Sequence, residues 1–164
     1  MIRRLVLVIG LAACGPGAKG GPSMNNHLNQ PEATPQSSDV ISADIMAREP
    51  IVNQAVVKHI LIGWKDLNDT YQGHIDSRAA KRTKKDAEDT VRSIVTQLKA
   101  GAEFELLMKS MSEDQGSAQT GRTYTVSPDA QLVIEFRQMG LRLKVGEIGV
   151  VESDYGFHIV KRIE

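Results

Sequence analysis

Two histidines and one aspartate are the side chains of this sequence whose types and settings could do chemistry. His59 lies in the apolar run VVKHILI, His158 in the closing stretch YGFHIVKRIE, and Asp114 in the polar stretch SMSEDQG. Histidine exchanges protons near neutral pH, and a carboxylate can accept a hydrogen bond from its ring. Each residue also has a structural interpretation. A histidine on a half-buried strand is most often a satisfied core residue, and Asp114 could cap the turn that follows it.

The histidine spacing does not indicate a metal site. His59, His74 and His158 lie far apart along the chain, and the sequence contains no HExxH pattern, in which two histidines share one helix face. We therefore predict a protein without a metal ion.

Two predicted strands carry the histidines. Over residues 157–163, apolar residues alternate with a set that includes His158, which predicts a strand with one buried and one mixed face. Residues 56–62 are apolar on both faces, which predicts a central strand. Alternation places each histidine on a face with apolar neighbours, but it does not say whether the two rings meet.

The remaining segments predict an α+β domain. Thr83 followed by Asp86 is typical of a helix start, and Gly101 stands where a glycine often ends a helix. Further along the chain we predict a second amphipathic helix from Phe104, a polar turn region in SEDQGSAQTG, a short strand in RTYTV, a helix over 130–139 and a strand over 147–152. This order indicates a small, mostly antiparallel four-stranded sheet surrounded by about four short helices.

The N-terminal residues MIRRLVLVIGLAAC resemble a bacterial lipoprotein signal. Two arginines precede an apolar run too short to span a bilayer, and the run ends in Leu-Ala-Ala-Cys, similar to a lipobox. Cys14 would then be the lipidation site and the membrane anchor. The alternative is a secretory leader that happens to end at a cysteine. We predict a signal over 1–13, an anchor and flexible tether over 14–50, and a folded domain over 51–164.

Composition narrows the choice of partners. Among 164 residues, 20 Lys plus Arg balance 20 Asp plus Glu, and this zero net charge argues against nucleic-acid binding. The single cysteine permits no intramolecular disulfide. In lipoproteins that the N-terminus resembles, a residue other than Asp after the cysteine goes with outer-membrane sorting, so Gly15 predicts a periplasm-facing outer-membrane protein. We expect a monomer.

Several separate blocks of the chain resemble one family. The blocks KHILI, LKAGAEFELLMKSMSED, LVIEF, LKVGEI and YGFHIVK are similar, in order and in spacing, to parvulin-type peptidyl-prolyl cis–trans isomerases. The resemblance covers about residues 55–164. It implies the parvulin fold, a reaction without a cofactor, and proline-containing unfolded polypeptides as substrates.

The resemblance also implies a site. His59 and His158 match the two histidines that face each other on adjacent central strands of parvulins, and Asp114 matches a position that holds cysteine or aspartate. The implied proline pocket has an aromatic floor, an apolar wall and a nearby hairpin hydroxyl, which Phe136, Leu132 and Ser153 match. A purely structural histidine pair remains the alternative within the family.

The chain departs from the family pattern after Gly121. Parvulins of this type continue with Gly-Gly-Asp-Leu-Gly and an aromatic residue, whereas Arg122, Thr125 and Ser127 stand at later positions here. Lost glycines could restrict the backbone, and Ser127 would remove an apolar wall that Tyr124 could refill in part. These departures bear on turnover more than on fold.

A basic segment follows the first predicted strand. Residues 78–85 hold five cationic side chains, namely Arg78, Lys81, Arg82, Lys84 and Lys85. Parvulins specific for phosphorylated substrates use a basic loop here, so one interpretation is an anion site. The other interpretation is a solvated loop without a ligand.

The resemblance implies an isomerase that acts on X–Pro bonds of unfolded or exported proteins in the cell envelope. Rotation about such a bond meets a barrier of about 18–20 kcal/mol, and no bond breaks, so the enzyme must bind the twisted amide more tightly than the planar one. A thousandfold increase in the rotation rate requires the activation free energy to fall by only about 4 kcal/mol. The alternatives are a peptide-binding chaperone or adaptor with little catalysis, and a purely structural lipoprotein.

Overall fold

The structure is a computed structural model, and it describes residues 38–164. The helices are α1 (Ala43–Met46), α2 (Lys84–Lys99), α3 (Phe104–Met111), α4 (Gln115–Thr120) and α5 (Ile134–Arg142). The strands are β1 (Ala55–Ile62), β2 (Tyr124–Val126), β3 (Ile148–Ser153) and β4 (Gly156–Arg162). Two 3-10 turns, Lys65–Leu67 and Ala79–Lys81, lie in the long β1–α2 connection.

The four strands form one antiparallel sheet in the order β2-β1-β4-β3. The first and last strands of the sequence, β1 and β4, are therefore the central pair. This sheet confirms the predicted α+β fold with a small four-stranded sheet, and five helices stand where about four were expected.

Hydrophobic cores cover both faces of the central strands. On one face, α2 and α3 pack over alternate strand residues such as Ile60 and Ile159. On the other face, α1 and α5 pack over Val57 and Val160. Alternation along a strand explains this division, because successive side chains point to opposite faces. The second face is the one that also carries the two histidines.

The start of α2 is capped by the two residues that the sequence indicated, Thr83 and Asp86. Thr83 accepts a hydrogen bond from the Asp86 amide at 3.2 Å, and the Asp86 carboxylate accepts one from the Thr83 amide at 2.8 Å. This capping box satisfies two amides that the first helical turn leaves free. Gly101 follows the helix with φ 96°, a left-handed conformation that glycine adopts without steric cost.

The stretch predicted as a polar turn region contains α4. Asp114 is its N-cap and accepts a hydrogen bond from the Ser117 amide, and Gly121, with φ 67°, ends it. Within the helix, Ser117 is the only buried residue, so no apolar stripe announces it in the sequence. Capping, rather than burial of apolar side chains, explains this short helix.

The predicted helix over 130–139 begins later, at Ile134. Leu132 and Val133 therefore lie in the turn before α5, where their side chains pack against the second core. A helical pattern in the sequence does not distinguish such flanking apolar residues from helical ones, and helix ends are difficult to place.

The folded part begins before residue 51, inside the range predicted as tether. Ile45 of α1 is 5% exposed and belongs to the second core. The Ser42 amide donates to the Val150 carbonyl at 2.9 Å, and the Val150 amide donates to the Ser42 hydroxyl at 3.0 Å. These long-range contacts attach the segment to the edge strand β3, and the short polar sequence around Ile45 does not reveal them.

The predicted signal of residues 1–13, the lipidation site Cys14 and the tether up to residue 37 lie outside the described residues. Between residues 38 and 164, no helix has the length and apolar character needed to cross a membrane. The membrane anchor stays a prediction.

Candidate active site

The structure brings His59 and His158 into direct contact. His59 on β1 pairs with Val160, and His158 on β4 pairs with Leu61, so the histidines are diagonal neighbours on one sheet face. Their Nδ1 atoms lie 3.1 Å apart and their rings stack at 17° with centroids 5.2 Å apart. Each residue is only 5% exposed. The histidine pair that the resemblance implies, and that alternation alone could not place, therefore lies across the β1–β4 ladder.

A hydrogen-bond chain continues on both sides of the histidine pair. His59 Nε2 lies 3.2 Å from Asp114 Oδ2, and His158 Nε2 lies 2.8 Å from the Ser153 hydroxyl. A carboxylate can only accept, so we assign the His59 proton to Nε2, which makes Nδ1 an acceptor for the His158 Nδ1 proton. His158 Nε2 then accepts from Ser153. With both rings neutral, all four ring nitrogens are satisfied.

Burial explains why His158 is neutral in this chain. Burial of the ring is the largest cause that lowers the His158 pKa to about 3; the neighbouring His59 also lowers it, and Asp114 opposes the shift. At neutral pH His158 thus acts as one donor and one acceptor, which is the role that the assigned proton positions require.

Asp114 is both the N-cap of α4 and the end of the histidine chain. Its Oδ2 accepts from His59, from the Ser117 amide at 2.9 Å and hydroxyl at 2.5 Å, and from the Tyr124 hydroxyl at 2.9 Å. The hydrogen bond from His59 is the largest cause that holds the Asp114 pKa far below its usual range, and Ser117 and Tyr124 add to it. The capping role and the site role proposed for Asp114 are therefore compatible.

These groups border a largely apolar pocket with a volume of about 270 Å³. Phe136 makes edge contacts with both histidines, with ring centroids 5.1 and 5.5 Å away. The pocket is lined by His59, Leu61, Tyr71, Asp114, Tyr124, Leu132, Val133, Phe136, Tyr155 and His158. Across residues 38–164, no three His, Cys, Asp or Glu side chains are grouped closely enough to hold a metal ion.

The predicted substrate-contacting residues fall into two groups. Leu132, Phe136 and Tyr124 line the pocket. Ser153 does not line it; its hydroxyl contacts His158 Nε2 instead and also accepts from the Tyr155 amide at 3.1 Å. Its position on β3, next to the hairpin turn, thus allows the Ser153 hydroxyl to orient the His158 ring, and a contact of Ser153 with substrate stays a prediction.

Two lining residues, Tyr71 and Tyr155, are absent from the sequence prediction. The Tyr71 hydroxyl donates to the Tyr155 carbonyl at 2.7 Å, and the rings meet edge to face with centroids 5.8 Å apart. Tyr71 comes from the polar β1–α2 connection and Tyr155 from the β3–β4 turn. The available signal was an aromatic residue in each of two polar segments, in a chain with only three tyrosines.

The altered loop after Gly121 adopts ordinary backbone angles. In the described part of the chain, Gln72 is the only non-glycine residue with positive φ, so Arg122 and Thr125 need no glycine-like conformation. Tyr124 lies 5.1 Å from the His59 ring and 5.7 Å from the Phe136 ring. The Tyr124 side chain therefore lines the pocket. The Ser127 hydroxyl instead donates a hydrogen bond to the Asp129 carboxylate at 2.7 Å.

Carboxylates and backbone groups engage most of the basic segment 78–85. Arg78 also donates to the Ser112 carbonyl, at 2.9 Å, just beyond the end of α3. Ion pairs join Arg78 to Asp76 at 3.0 Å, Arg82 to Glu113 at 2.7 Å, Lys84 to Glu152 at 2.5 Å and Lys85 to Asp89 at 3.4 Å. These contacts favour a structural role for the segment over the anion site.

Comparison with known proteins finds a matching family and several relatives of the chain. The PPIC-type PPIase domain family matches residues 43–164. A foldase protein PrsA from Geobacillus sp. (strain WCH70) is 30% identical over 127 residues, covering 77% of this chain and 46% of that protein. A parvulin-like PPIase from Rickettsia typhi is 28% identical over 157 residues, covering 85% of this chain and 56% of that protein. The chain thus spans about half the length of the curated relatives it matches.

Solved structures share the fold. The solution structure of TbPIN1 superposes with a TM-score of 0.58 at 22% identity, covering 70% of this chain and 100% of that one. The peptidyl-prolyl isomerase ESS1 from Candida albicans gives a TM-score of 0.56 at 20% identity, covering 68% and 63%. These structures show the same fold, and the family match over residues 43–164 establishes that the chain belongs to the PPIC-type PPIase family, the parvulins.

Proposed function

We propose that this protein catalyses the cis–trans isomerisation of X–Pro peptide bonds without forming a covalent bond to its substrate. The observation that carries the proposal is an ionised carboxylate, Asp114, held by a buried histidine chain at the edge of an apolar pocket. Its family membership supports the same reaction.

The apolar part of the pocket would hold the proline ring. Phe136 and Leu132 lie on its lining, and Tyr124 closes it on the β2 side. An apolar ring that leaves water gains free energy in proportion to the area buried, and it is gripped without directional bonds. The rest of the peptide can then rotate about the X–Pro bond while the ring stays in place.

Asp114 would favour the twisted amide over the planar one. Resonance in a planar amide places partial negative charge on the carbonyl oxygen, and twisting removes that resonance. A fixed carboxylate near this oxygen raises the energy of the planar form more than that of the twisted form. Because the Asp114 pKa lies far below neutral, the charge is present at physiological pH.

The histidine chain would fix the position of that charge. His59 donates to Asp114, and the orientation of His59 is set through His158 by Ser153. Neutral, prearranged donors need no reorganisation during the reaction. In this proposal, His59 and His158 act on the reaction by holding Asp114 in place.

We further propose that the protein acts on unfolded or newly exported proteins as a lipid-anchored monomer of the outer membrane, facing the periplasm. The support is the lipobox-like segment that ends at Cys14. Several relatives carry the name foldase protein PrsA, which agrees with a role in protein folding.

A peptide-binding chaperone with little catalysis is the second candidate. It is favoured by the changed loop after Gly121, where Arg122 replaces a family glycine and places its guanidinium 4.8 Å from the Tyr124 ring. In this case the same pocket would bind extended peptides but would not accelerate their rotation.

The test measures cis–trans exchange of a proline peptide by NMR, with the full chain carrying Cys14→Ser so that it cannot be acylated. We expect acceleration, and we expect Asp114→Asn to lower kcat/KM about a hundredfold, as loss of a preorganised charged group does elsewhere. Asp44→Asn, an exposed carboxylate on α1, is the matched control.

Other outcomes separate the candidates. Shift changes at His59 and Phe136 without acceleration would indicate the chaperone. No binding and no acceleration would indicate a structural lipoprotein. Equal rates for wild type and Asp114→Asn would contradict the role given to the carboxylate.

A further inference from the structure

Tyr124 makes a contact that its place in the pocket lining does not explain. Its hydroxyl donates to Asp114 Oδ2 at 2.9 Å. The residue lies at the start of β2, opposite Val57 of β1, so this bond joins the edge strand of the sheet to the N-cap of α4. A phenylalanine at this position could line the pocket but could not donate. The hydroxyl is therefore a feature separate from the apolar lining.

The two oxygens of the Asp114 carboxylate differ in their surroundings. Oδ2 accepts hydrogen bonds from His59 on β1, from Ser117 on α4 and from Tyr124 on β2. Oδ1 accepts no hydrogen bond from a residue in the described range 38–164, and the side chain is 27% exposed. One oxygen is thus held by three elements of the fold, whereas the other is left for a bound ligand.

The Tyr124 ring is held by contacts on several sides. It stands edge-on to the His59 ring at 90°, and it meets the Phe136 ring with centroids 5.7 Å apart. The Arg122 guanidinium lies 4.8 Å from the ring centroid. Burial and the bond to Asp114 raise the pKa of the Tyr124 phenol, so the hydroxyl keeps its proton at neutral pH. The donor is therefore both fixed in place and protonated.

We propose that Tyr124 is a positioning residue of the isomerase, whose hydroxyl fixes Asp114 Oδ2 so that Oδ1 is the oxygen presented to the substrate amide. This inference rests on the proposed function, because it requires Asp114 to act on that amide. A carboxylate tied to a single donor can still turn about its Cβ–Cγ bond. Because Oδ2 has donors on β1, α4 and β2, such a turn would break its bonds to three elements at once. Oδ1 therefore keeps its direction while the X–Pro bond rotates.

The changed loop after Gly121 would then support the site. The Arg122 guanidinium lies over the Tyr124 ring, and the Tyr124 hydroxyl donates to Asp114. Two residues of the segment that departs from the family pattern thus lead directly to the carboxylate. In this inference, the same loop that favours the chaperone candidate supplies a donor to the group that acts on the amide.

The experiment removes the hydroxyl and keeps the ring. In the full chain with Cys14→Ser, Tyr124→Phe is compared with the unchanged residue by exchange NMR of a proline peptide over a range of peptide concentrations. We expect kcat to fall about tenfold, the effect of losing one hydrogen bond to a charged group, and KM to stay within about twofold. Thr125→Val removes an exposed hydroxyl from the next position of β2. It is the matched control and should leave both constants unchanged.

A double-mutant cycle separates positioning from a role in the pocket lining. Asparagine caps a helix as well as aspartate does but carries no charge, so Asp114→Asn should fold. In that variant, Tyr124→Phe should change kcat less than about twofold, because the charge that the hydroxyl positions is gone. A phenol titration by carbon-13 NMR gives a second readout. Asp114→Asn should lower the Tyr124 pKa, since the bond to a charged acceptor is lost.

Each result decides the inference. An unchanged kcat in Tyr124→Phe would overturn it, whether or not KM rises. Equal losses of kcat with and without the Asp114 charge would also overturn it, because they indicate an independent contact with the substrate. So would an unchanged Tyr124 pKa in Asp114→Asn, a measurement that needs no Tyr124 variant to fold. All these results leave the isomerase intact, whereas absence of acceleration by the chain with Tyr124 and Asp114 in place would reject both.

Discussion

At the scale of single residues, the proton positions of His59 and His158 determine how the pocket is organised. Each ring nitrogen has one partner, and the two end partners, Asp114 and Ser153, come from different elements. A side chain that could only donate or only accept would leave a buried group unsatisfied, which costs more than the bond itself contributes. Histidine supplies both roles in one ring.

The buried His158 should make the protein less stable in mild acid. Its folded pKa, about 3, lies below the ordinary value of 6.5, so the unfolded chain takes up a proton below pH 6.5 while the folded chain does not. The free energy of unfolding should therefore fall by about 2 kcal/mol between pH 7 and pH 5 through this residue alone. Urea unfolding at both pH values measures it.

His158→Asn should reduce that pH dependence by about the same amount, although the variant is less stable at pH 7. His74→Asn, which removes an exposed histidine, provides the control. An unchanged slope in His158→Asn would show that other groups cause the acid sensitivity. The depressed pKa of Asp114 keeps that carboxylate out of this pH window, because it is charged in both states there.

At the scale of elements, the position of α5 over the sheet depends on two glycines. A Cβ at Gly149 of β3 would lie 2.5 Å from the Met139 sulfur, and one at Gly140 of α5 would lie 2.8 Å from a Val126 methyl. The helix therefore packs closer to β2 and β3 than larger residues would allow. Since α5 carries Phe136, this packing sets the depth of the pocket floor.

Gly149→Ala should lower the free energy of unfolding by about 1–3 kcal/mol, because the added methyl group overfills a packed interface. Gly116→Ala is the matched control. Its Cβ would meet ordinary contacts of 3.6 Å or longer in α4, so this change should be neutral or slightly stabilising. Urea unfolding measures both, and equal stabilities for the two variants would contradict the close packing of α5.

Local sequence signals predicted the elements better than the contacts between them. Alternation over residues 157–163 and an apolar run over residues 56–62 placed both histidines on strands, and the Thr83 capping box marked the start of α2. α4 was missed because its stability comes from caps and not from an apolar stripe. The Tyr71–Tyr155 bond was missed for a different reason. It joins residues 84 positions apart, and nothing in either segment specifies the partner.

At the scale of the whole described molecule, the segment before β1 completes the fold. Arg48 forms an ion pair with Glu147 at 2.8 Å, and the Ile51 amide donates to the Leu141 carbonyl at 2.9 Å. With Ile45 in the second core, these contacts cover α5 and β3 from outside. The segment therefore belongs to the folded unit, and any tether must end before it.

Ile45→Ala should lower the free energy of unfolding by about 2–4 kcal/mol, the usual cost of removing a buried isoleucine side chain. Ile51→Ala, at a side chain 50% exposed, should cost less than about 1 kcal/mol. Urea unfolding measures the difference. Similar small losses for both would mean that α1 is not a structural part of the unit. Exchange kinetics of the folded Ile45→Ala variant should match the wild type.

The hydrogen-bond chain from Ser153 to Asp114 has a direction, and that direction links distant parts of the protein. A proton added at His59 Nδ1 turns this atom into a donor, so His158 must move its own proton from Nδ1 to Nε2, and the Ser153 hydroxyl must rotate away. Ser153 also accepts from the Tyr155 amide. One proton at β1 therefore exchanges donor and acceptor in the His59–His158 and His158–Ser153 bonds, as far as the β3–β4 turn, while the bond from His59 to Asp114 keeps its direction.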